Sequence, residues 1–431
     1  MPVSVVNIDL TAEIAARQQE TFTDVAVIGT AEAAPPNAEI GAVNRYASAA
    51  EVSTDYGEDT DVHVASEAIE AMGAQHWYVL VLQETSVGAE DVDDGAAVAN
   101  TPILGEAGVT AAARDVVYTT ESPPAAPGGG EVAVNTDTGE VATDDGTAAT
   151  LDYTYVEWGD LDHLLDEDVN LVGFADVQAQ EQHIGQLDEL TGWADEYGLG
   201  VVFAHMDGRN AASDRDALET AHAVGSYVPS GDILSAAHKS DADVCGHILG
   251  QLATHNPWFD PYYDGEGYPF ESESYPGKLI GDPATQETFE GGDNEALGPT
   301  NVVIEVADTT VLSNSLTTAG PDSSYQYFDI GRTESFAATV IEEALRDLRL
   351  QEDRIPFDSD GRTMISSEIR SSLSEYVGGA DAPFASLDLY VPPFDELTEE
   401  ERADRVWTGI EVQGRLAGNV HEFSFKMTVT V

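Results

Sequence analysis

Trp77-Tyr78-Val79-Leu80-Val81-Leu82 is a run of six apolar residues, and its reading decides the fold. A strand with one wet face would alternate. A run that is apolar at every position suits a strand covered on both sides, as in a parallel sheet flanked by helices. Upstream, Thr60 is placed to cap a helix running to Met72, with Val64, Ile69 and Met72 spaced for one face and Gly73 ending it. Further back, Phe22 to Gly29 reads as a strand with Val25 and Val27 on one face, and Pro35-Pro36-Asn37 marks a loop. Strand, helix and strand in that order predict α/β architecture.

Residues 2–10 (Pro-Val-Ser-Val-Val-Asn-Ile-Asp-Leu) form a short extended stretch, with Val3, Val5 and Ile8 as its apolar positions, followed by a polar connector over 12–20. In the other direction the character changes at about residue 86. From there to 157 the chain is rich in Gly, Thr, Asp and Pro. Alternation at Val132, Val134, Val141, Leu151, Tyr153 and Tyr155, with a turn at Asp137-Thr138-Gly139, predicts a hairpin-rich insert. Gly128-Gly129-Gly130 lacks the Lys-Ser/Thr that a phosphate loop requires.

From 158 to 330 strands and helices alternate. Strands are expected at 169–174, 200–204, 301–306 and 325–330, and helices at 180–197, 214–226 and 231–254; 259–299 reads as a loop rich in Gly, Pro and acids. The helix at 180–197 would turn Ile184, Leu187, Leu190 and Trp193 inward. Residues 331–416 read as a compact α+β unit. It has a helix at 335–350 with Phe336, Val340, Ile341, Leu345 and Leu348 inward, a turn at Asp358–Gly361, a second helix with Ile365, Ile369 and Leu373, and strands at 387–391 and 406–416. The last segment alternates strictly. His421, Phe423, Phe425, Met427, Val429 and Val431 share one face, and a strand that apolar needs a partner at its edge. The expected division is therefore 1–20, 21–85, 86–157, 158–330, 331–416 and 417–431: a multi-domain α/β and α+β protein with a β-rich insert and a β-strand arm at each end.

Charge narrows the function. Of 431 residues, 17 are Lys or Arg and 80 are Asp or Glu, for a net charge of −63. Nucleic acid and anionic membrane surfaces would repel such a chain. With 42% hydrophobic residues it can still build cores, so disorder does not explain the acidity. Adaptation to molar salt does, because the Debye length there falls to about 3 Å and self-repulsion is screened. The N-terminal stretch has no basic segment followed by an apolar one, so no secretory leader is expected, and no run approaches a membrane span. One cysteine, Cys245, precludes an intrachain disulfide and fits a buried position.

Candidate chemistry is sparse. Asp59, Asp61 and His63 carry donor groups for a cation, but acids also favour a helix start. Asp91, Asp93 and Asp94 resemble part of a calcium loop without its Gly and closing Glu in register. His247 and His255 are eight apart, a poor ligand spacing on a helix. His205, Asp207 and Arg209 follow a strand where α/β enzymes place catalytic groups, but no glycine fingerprint or nucleophile motif accompanies them. No cofactor is expected. Arginine is segregated: nine of fourteen (332, 346, 349, 354, 362, 370, 402, 405 and 415) lie after residue 330. That segment has a net charge of −10, against −53 for the first 330 residues. Internal ion pairs or contacts with acidic partners would each explain this.

Several stretches together resemble the contractile tail sheath proteins of tailed viruses and related injection systems. They are Val25 to Gly29, Asn44-Arg45-Tyr46, Glu51-Val52, Tyr56-Gly57, the 61–73 helix and Trp77 to Leu82; then Arg354-Ile355-Pro356-Phe357, Asp360-Gly361, Asp404-Arg405 and, most specific, Gly414-Arg415-Leu416-Ala417-Gly418-Asn419-Val420-His421. The resemblance covers about half the chain and, with the acidity, implies a haloarchaeal type. It implies a non-enzymatic subunit of a virion tail, assembled in the host cytoplasm. Such subunits stack as hexameric rings around a tail tube, with baseplate and tail terminator proteins as further partners. It also implies arms that complete sheets in neighbouring subunits: Val3, Val5 and Ile8 at one end, His421, Phe423, Phe425, Met427, Val429 and Val431 at the other. The C-terminal unit would face the tube, with Arg346, Arg349, Arg362 and Arg370 as contact candidates. A halophilic enzyme using His205 and Asp207, or another virion part such as a baseplate subunit, are the alternatives.

Overall fold

The computed structural model of the protein describes residues 5–9, 23–104, 109–112, 114–119, 123–135, 138–167, 169–175, 184–206, 230–238, 242–261, 267–270, 301–306, 309–319, 323–352, 354–379 and 381–417. Strand β1 (Val5–Asp9) lies apart from the main sheet. That sheet starts with β2 (Val25–Ala31) and β3 (Asn44–Tyr46). Helices α1 (Ala49–Tyr56) and α2 (Asp61–Ala71) then lead to β4 (Trp77–Val92). β2 and β4 run parallel, with Ala26 opposite Tyr78 and Ile28 opposite Leu80.

β4 does not stop at the change in composition. It continues to Val92 and pairs antiparallel with β9 (Ala149–Val156), which is bordered in turn by β5 (Thr110–Ala111). Between these, β6 (Asp115–Thr119) lies parallel to β7 (Glu131–Asn135), and β7 forms the expected hairpin with β8 (Val141–Thr143). Gly139 closes that hairpin at φ +69°, donating its N–H to the Asn135 carbonyl. Val92, Val132, Val134, Val141, Leu151 and Tyr153 form a separate small core.

The main sheet then resumes with β10 (Leu171–Phe174), α3 (Ile184–Tyr197), β11 (Gly200–Met206), β12 (Ile233–His238), α4 (Val244–Thr254), β13 (Asn301–Val306) and β14 (Thr309–Leu312). Six strands are parallel, in the spatial order β13-β12-β11-β10-β2-β4; β14 and β9 flank them antiparallel. This is a doubly wound sheet whose winding reverses between β2 and β10. α1, α2 and α4 cover one face, where Val25, Val27, Val79 and Val81 meet Ile69, Val244, Ile248 and Leu249. On the other face Ala26, Ile28, Leu80 and Leu82 meet Leu190 and Ala194 of α3, with Leu161 and Leu164 of a 3-10 helix at Trp158–Asp166. Residues 77–82 are accordingly buried at every position, and each fully buried large side chain contributes about 1.5–3 kcal/mol.

Several local expectations are corrected. Thr60 holds the N-cap position of α2 but donates its hydroxyl to the Gly57 carbonyl, without a cap bond. Val64 is 41% exposed, because α2 buries the adjacent stripe of Val62, Ala65 and Ile69. Residues 231–254 are a strand followed by a helix. Small Ser235 and Ala236 fit β12 between two parallel strands, and Asp243 caps α4 by accepting from the Gly246 N–H. The strand expected at 325–330 is replaced by the start of α5 (Phe328–Gln351), whose 24 residues begin seven earlier than the apolar pattern indicated. Asp358 is no isolated turn; it caps α6 (Ser359–Ser372) through the Asp360 and Gly361 N–H groups. The expected helix at 214–226 and most of the 259–299 loop lie outside the described residues. No helix of the described residues is long and apolar enough to cross a membrane.

Candidate assembly surface

The C-terminal unit is built on two helices and a three-stranded sheet in the order β1, β16 (Glu411–Leu416), β15 (Phe384–Tyr390). Ala337, Ile341 and Leu348 of α5 and Ile365 and Ile369 of α6 pack on Phe384 and Val412. Gly414 is required there, because a Cβ would stand 2.7 Å from the Phe384 ring. α7 (Glu399–Asp404) carries a complete capping box between Thr398 and Glu401, and Arg405 ends it in the left-handed region at φ +59°.

β1 pairs antiparallel with β16 of its own chain, Val5 opposite Arg415 and Ile8 opposite Val412. Val3 and the entire expected C-terminal arm (His421, Phe423, Phe425, Met427, Val429 and Val431) lie outside the described residues. β15 forms the far side of this sheet. Beside it, Ile369, Arg370, Leu373, Val377, Leu387 and Leu389 line an apolar cleft of about 210 Å³.

The four candidate arginines sit in different settings. Arg349 and Arg370 are exposed in the last turns of α5 and α6, where a cation also complements the helix dipole. Arg346 is half-buried and close enough to Glu342 to draw its carboxyl pKa down, although burial raises it more. Arg362 is half-buried, and its Nε donates to the Val391 carbonyl at 2.7 Å. Sequence reasoning did not single out the surface beside it. There Phe394, Val406 and Tyr390 are 39%, 48% and 42% exposed, around half-buried Phe357 and Trp407, with Arg402 over the Phe394 ring. The signal was Pro392-Pro393-Phe394, an aromatic in a turn rather than in a periodic element.

The chemical candidates resolve into structural roles where they are described. His63 donates from Nδ1 to the Glu58 carbonyl at 2.6 Å, and His247 and His255 donate to the Asp243 and Gln251 carbonyls of their own helix. Asp94 accepts from the Thr143 N–H and hydroxyl, and Asp91 from the Thr150 hydroxyl. Among the described residues no group of three or more His, Cys, Asp or Glu is placed to hold a metal ion. Cys245 is buried, its Sγ donates to the Val202 carbonyl at 3.2 Å, and burial pushes its pKa well up. His205 occupies β11 by its backbone; its side chain, Asp207 and Arg209 lie outside the described residues.

No family model and no curated protein matches the chain. Solved structures share its fold. A chain of the anti-feeding prophage (AFP) baseplate, 6-fold symmetrised, aligns at TM-score 0.59 and 14% identity over 97% of this chain and 98% of its own. The AFP helical sheath in the contracted state aligns at 0.57 and 14% over 98% and 97%. The sheath complex of an extracellular contractile injection system, PVC, also contracted, aligns at 0.58 and 11% over 98% and 96%. The mixed α/β fold is thus the fold of contractile injection system sheath proteins, over nearly the full chain.

Proposed function

We propose that this chain is the subunit of a contractile sheath. It polymerises as stacked hexameric rings around a tail tube, and its contraction drives the tube through a target envelope. The observation that carries this reading is the end-to-end likeness. At least 96% of each chain participates in the three alignments, so the arrangement of all units is shared, not one common domain. The 6-fold symmetry of one neighbour supports rings of six. Partners on this reading are further copies of the chain, a tail tube protein, and baseplate and tail terminator proteins.

The β1–β16–β15 sheet supports linkage by strand exchange. An edge of β16 that accepts β1 from its own chain presents the same hydrogen-bonding groups to β1 of a neighbour, so exchange requires no new interface. The net charge of −63 supports a halophilic setting, in which closely packed copies are screened. We assign the tube contact to the C-terminal unit, with exposed Arg349 and Arg370 more available than Arg346 and Arg362. The likeness to baseplate chains favours, as a second reading, a baseplate subunit of the same fold.

Negative-stain microscopy of the purified protein in molar salt separates these. Long striated tubes are expected of a sheath. Single closed rings would favour the baseplate reading, and small uniform oligomers without rings would overturn both.

A further inference from the structure

Helix α5 belongs to two cores at once. Phe328, in its first turn, is fully buried in the α/β core, whereas Ile330, Ala337, Ile341 and Leu348 belong to the core of the C-terminal unit. Its root is pressed onto the start of β12. A Cβ on Gly331 would stand 2.5 Å from the Gly231 carbonyl oxygen and would collide with the Asp232 carboxylate, so the helix is in direct contact with the two residues that lead into β12. One turn further on, Trp258, from the segment after α4, packs edge-on against Phe336 and Tyr376 at 5.5 and 5.9 Å. Among the described residues, the α/β and C-terminal units meet at this helix root and at this aromatic cluster.

Charge is concentrated at that root. Asp232 faces Glu334 and Arg332 of α5 and Asp195 of α3; Arg332 is also flanked by Asp329. Tyr325, in the segment leading into α5, donates its hydroxyl to Glu334. Among the described residues the root thus gathers, with Asp232 itself, four carboxyls, one guanidinium and one phenol. Arg332 is 3% exposed, lies over the Phe328 ring, and donates to the Leu252 carbonyl at 3.5 Å. Arg332 and Asp329 are buried, Asp232 and Glu334 half-buried and Asp195 exposed; one cation does not balance the four carboxylates gathered there, so one of them is better accommodated neutral.

We propose that the root of α5 is a proton-sensitive joint: Asp232, wedged against Gly331, must be uncharged for α5 to seat fully on β12, and its ionisation loosens the C-terminal unit from the α/β unit. Burial first, then Glu334 and Asp195, raise its pKa to about 7, with Arg332 opposing. When the root opens, the carboxyl regains an ordinary pKa of about 4. The raised value belongs to the seated state, so its stabilisation is complete below about pH 4. It declines by up to about tenfold in the opening equilibrium per pH unit, and levels off above about pH 7. This joint does not depend on the sheath reading.

The test is hydrogen exchange by mass spectrometry on the full-length protein in molar salt, from pH 4.5 to 8.5, following peptides over 325–340. Exchange is corrected for its intrinsic pH dependence. In the native chain, protection of the root should fall between pH 5 and 7 and then plateau, while peptides over 77–92 stay constant. Asp232→Asn should give protection independent of pH across that range. Should that variant fail to fold, Glu334→Gln removes a repelling neighbour and should move the plateau to lower pH. Equal pH profiles in the native chain and Asp232→Asn, or an unmoved plateau in Glu334→Gln, overturn the proposal.

Discussion

Gly246 of α4 lies directly on Ala65 of α2: a Cβ at Gly246 would stand 2.6 Å from the Ala65 carbonyl oxygen. Gly250, one turn on, is in the same position over Ile69, at 2.8 Å from its carbonyl. The two glycines let the helix backbones touch across the sheet face. Gly246→Ala would otherwise gain helix propensity of roughly 1 kcal/mol. Here the overpacking dominates, and a net loss of about 1–3 kcal/mol is expected. Denaturant unfolding at fixed salt measures it; an unchanged or raised midpoint would show that the helices can separate freely.

Cys245 should be silent in the folded protein. Its thiol is buried beside Gly173, and burial holds it protonated. Labelling with a maleimide in native buffer should be slower than in denaturant by at least about a hundredfold, following opening of the core. Rapid native labelling would contradict the packing of α4 on β10 and β11.

Removing residues 421–431 should leave a folded, soluble subunit that does not form tubes. Removing residues 1–9 should also expose the edge of β16, and soluble variant protein should then associate through it. Sedimentation and microscopy in molar salt check both. Tubes of normal length from the C-terminal truncation would sink the linkage by arms.

Low salt should disperse the assembly. Copies of a chain carrying −63 repel over about 30 Å at 0.01 M ionic strength, against about 3 Å at 1 M. Light scattering during dialysis should show loss of polymer before loss of far-ultraviolet helical signal. Polymer that persists through prolonged low-salt dialysis would count against the screening argument.

Arg349→Glu together with Arg370→Glu should weaken co-assembly with an acidic tube while leaving the subunit fold intact, since both side chains are exposed. Exposed pairs contribute only about 0–1 kcal/mol each, so the effect must be read on the assembled array, where it is multiplied. Unchanged tube-filled particles would place the contact elsewhere.

The sheet interior was legible because burial on both faces leaves no alternation: Trp77 to Leu82 and Val25 to Gly29 announce themselves. β12 was not, because Ser235-Ala236-Ala237 carries little hydrophobic signal and only its neighbours β11 and β13 make it a strand. The root of α5 was missed for a related reason. Gly331 and Arg332 break the apolar pattern, and their roles depend on Asp232, a hundred residues away in sequence. The arginine segregation was visible as composition, but which guanidinium is spoken for, as Arg362 is by Val391, depends on tertiary contacts alone.

β4 carries one practical consequence. Its first half is a central strand of the doubly wound sheet and its second half is a wall of the insert, pinned at its bulge by the bond from the Ala89 N–H to Asp152. The insert cannot swivel without unzipping that strand. A rigid fluorophore or small tag fixed near Val117, on the exposed face of β6, would therefore act as a compass needle for the buried sheet, and its polarisation would report the orientation of the whole α/β unit.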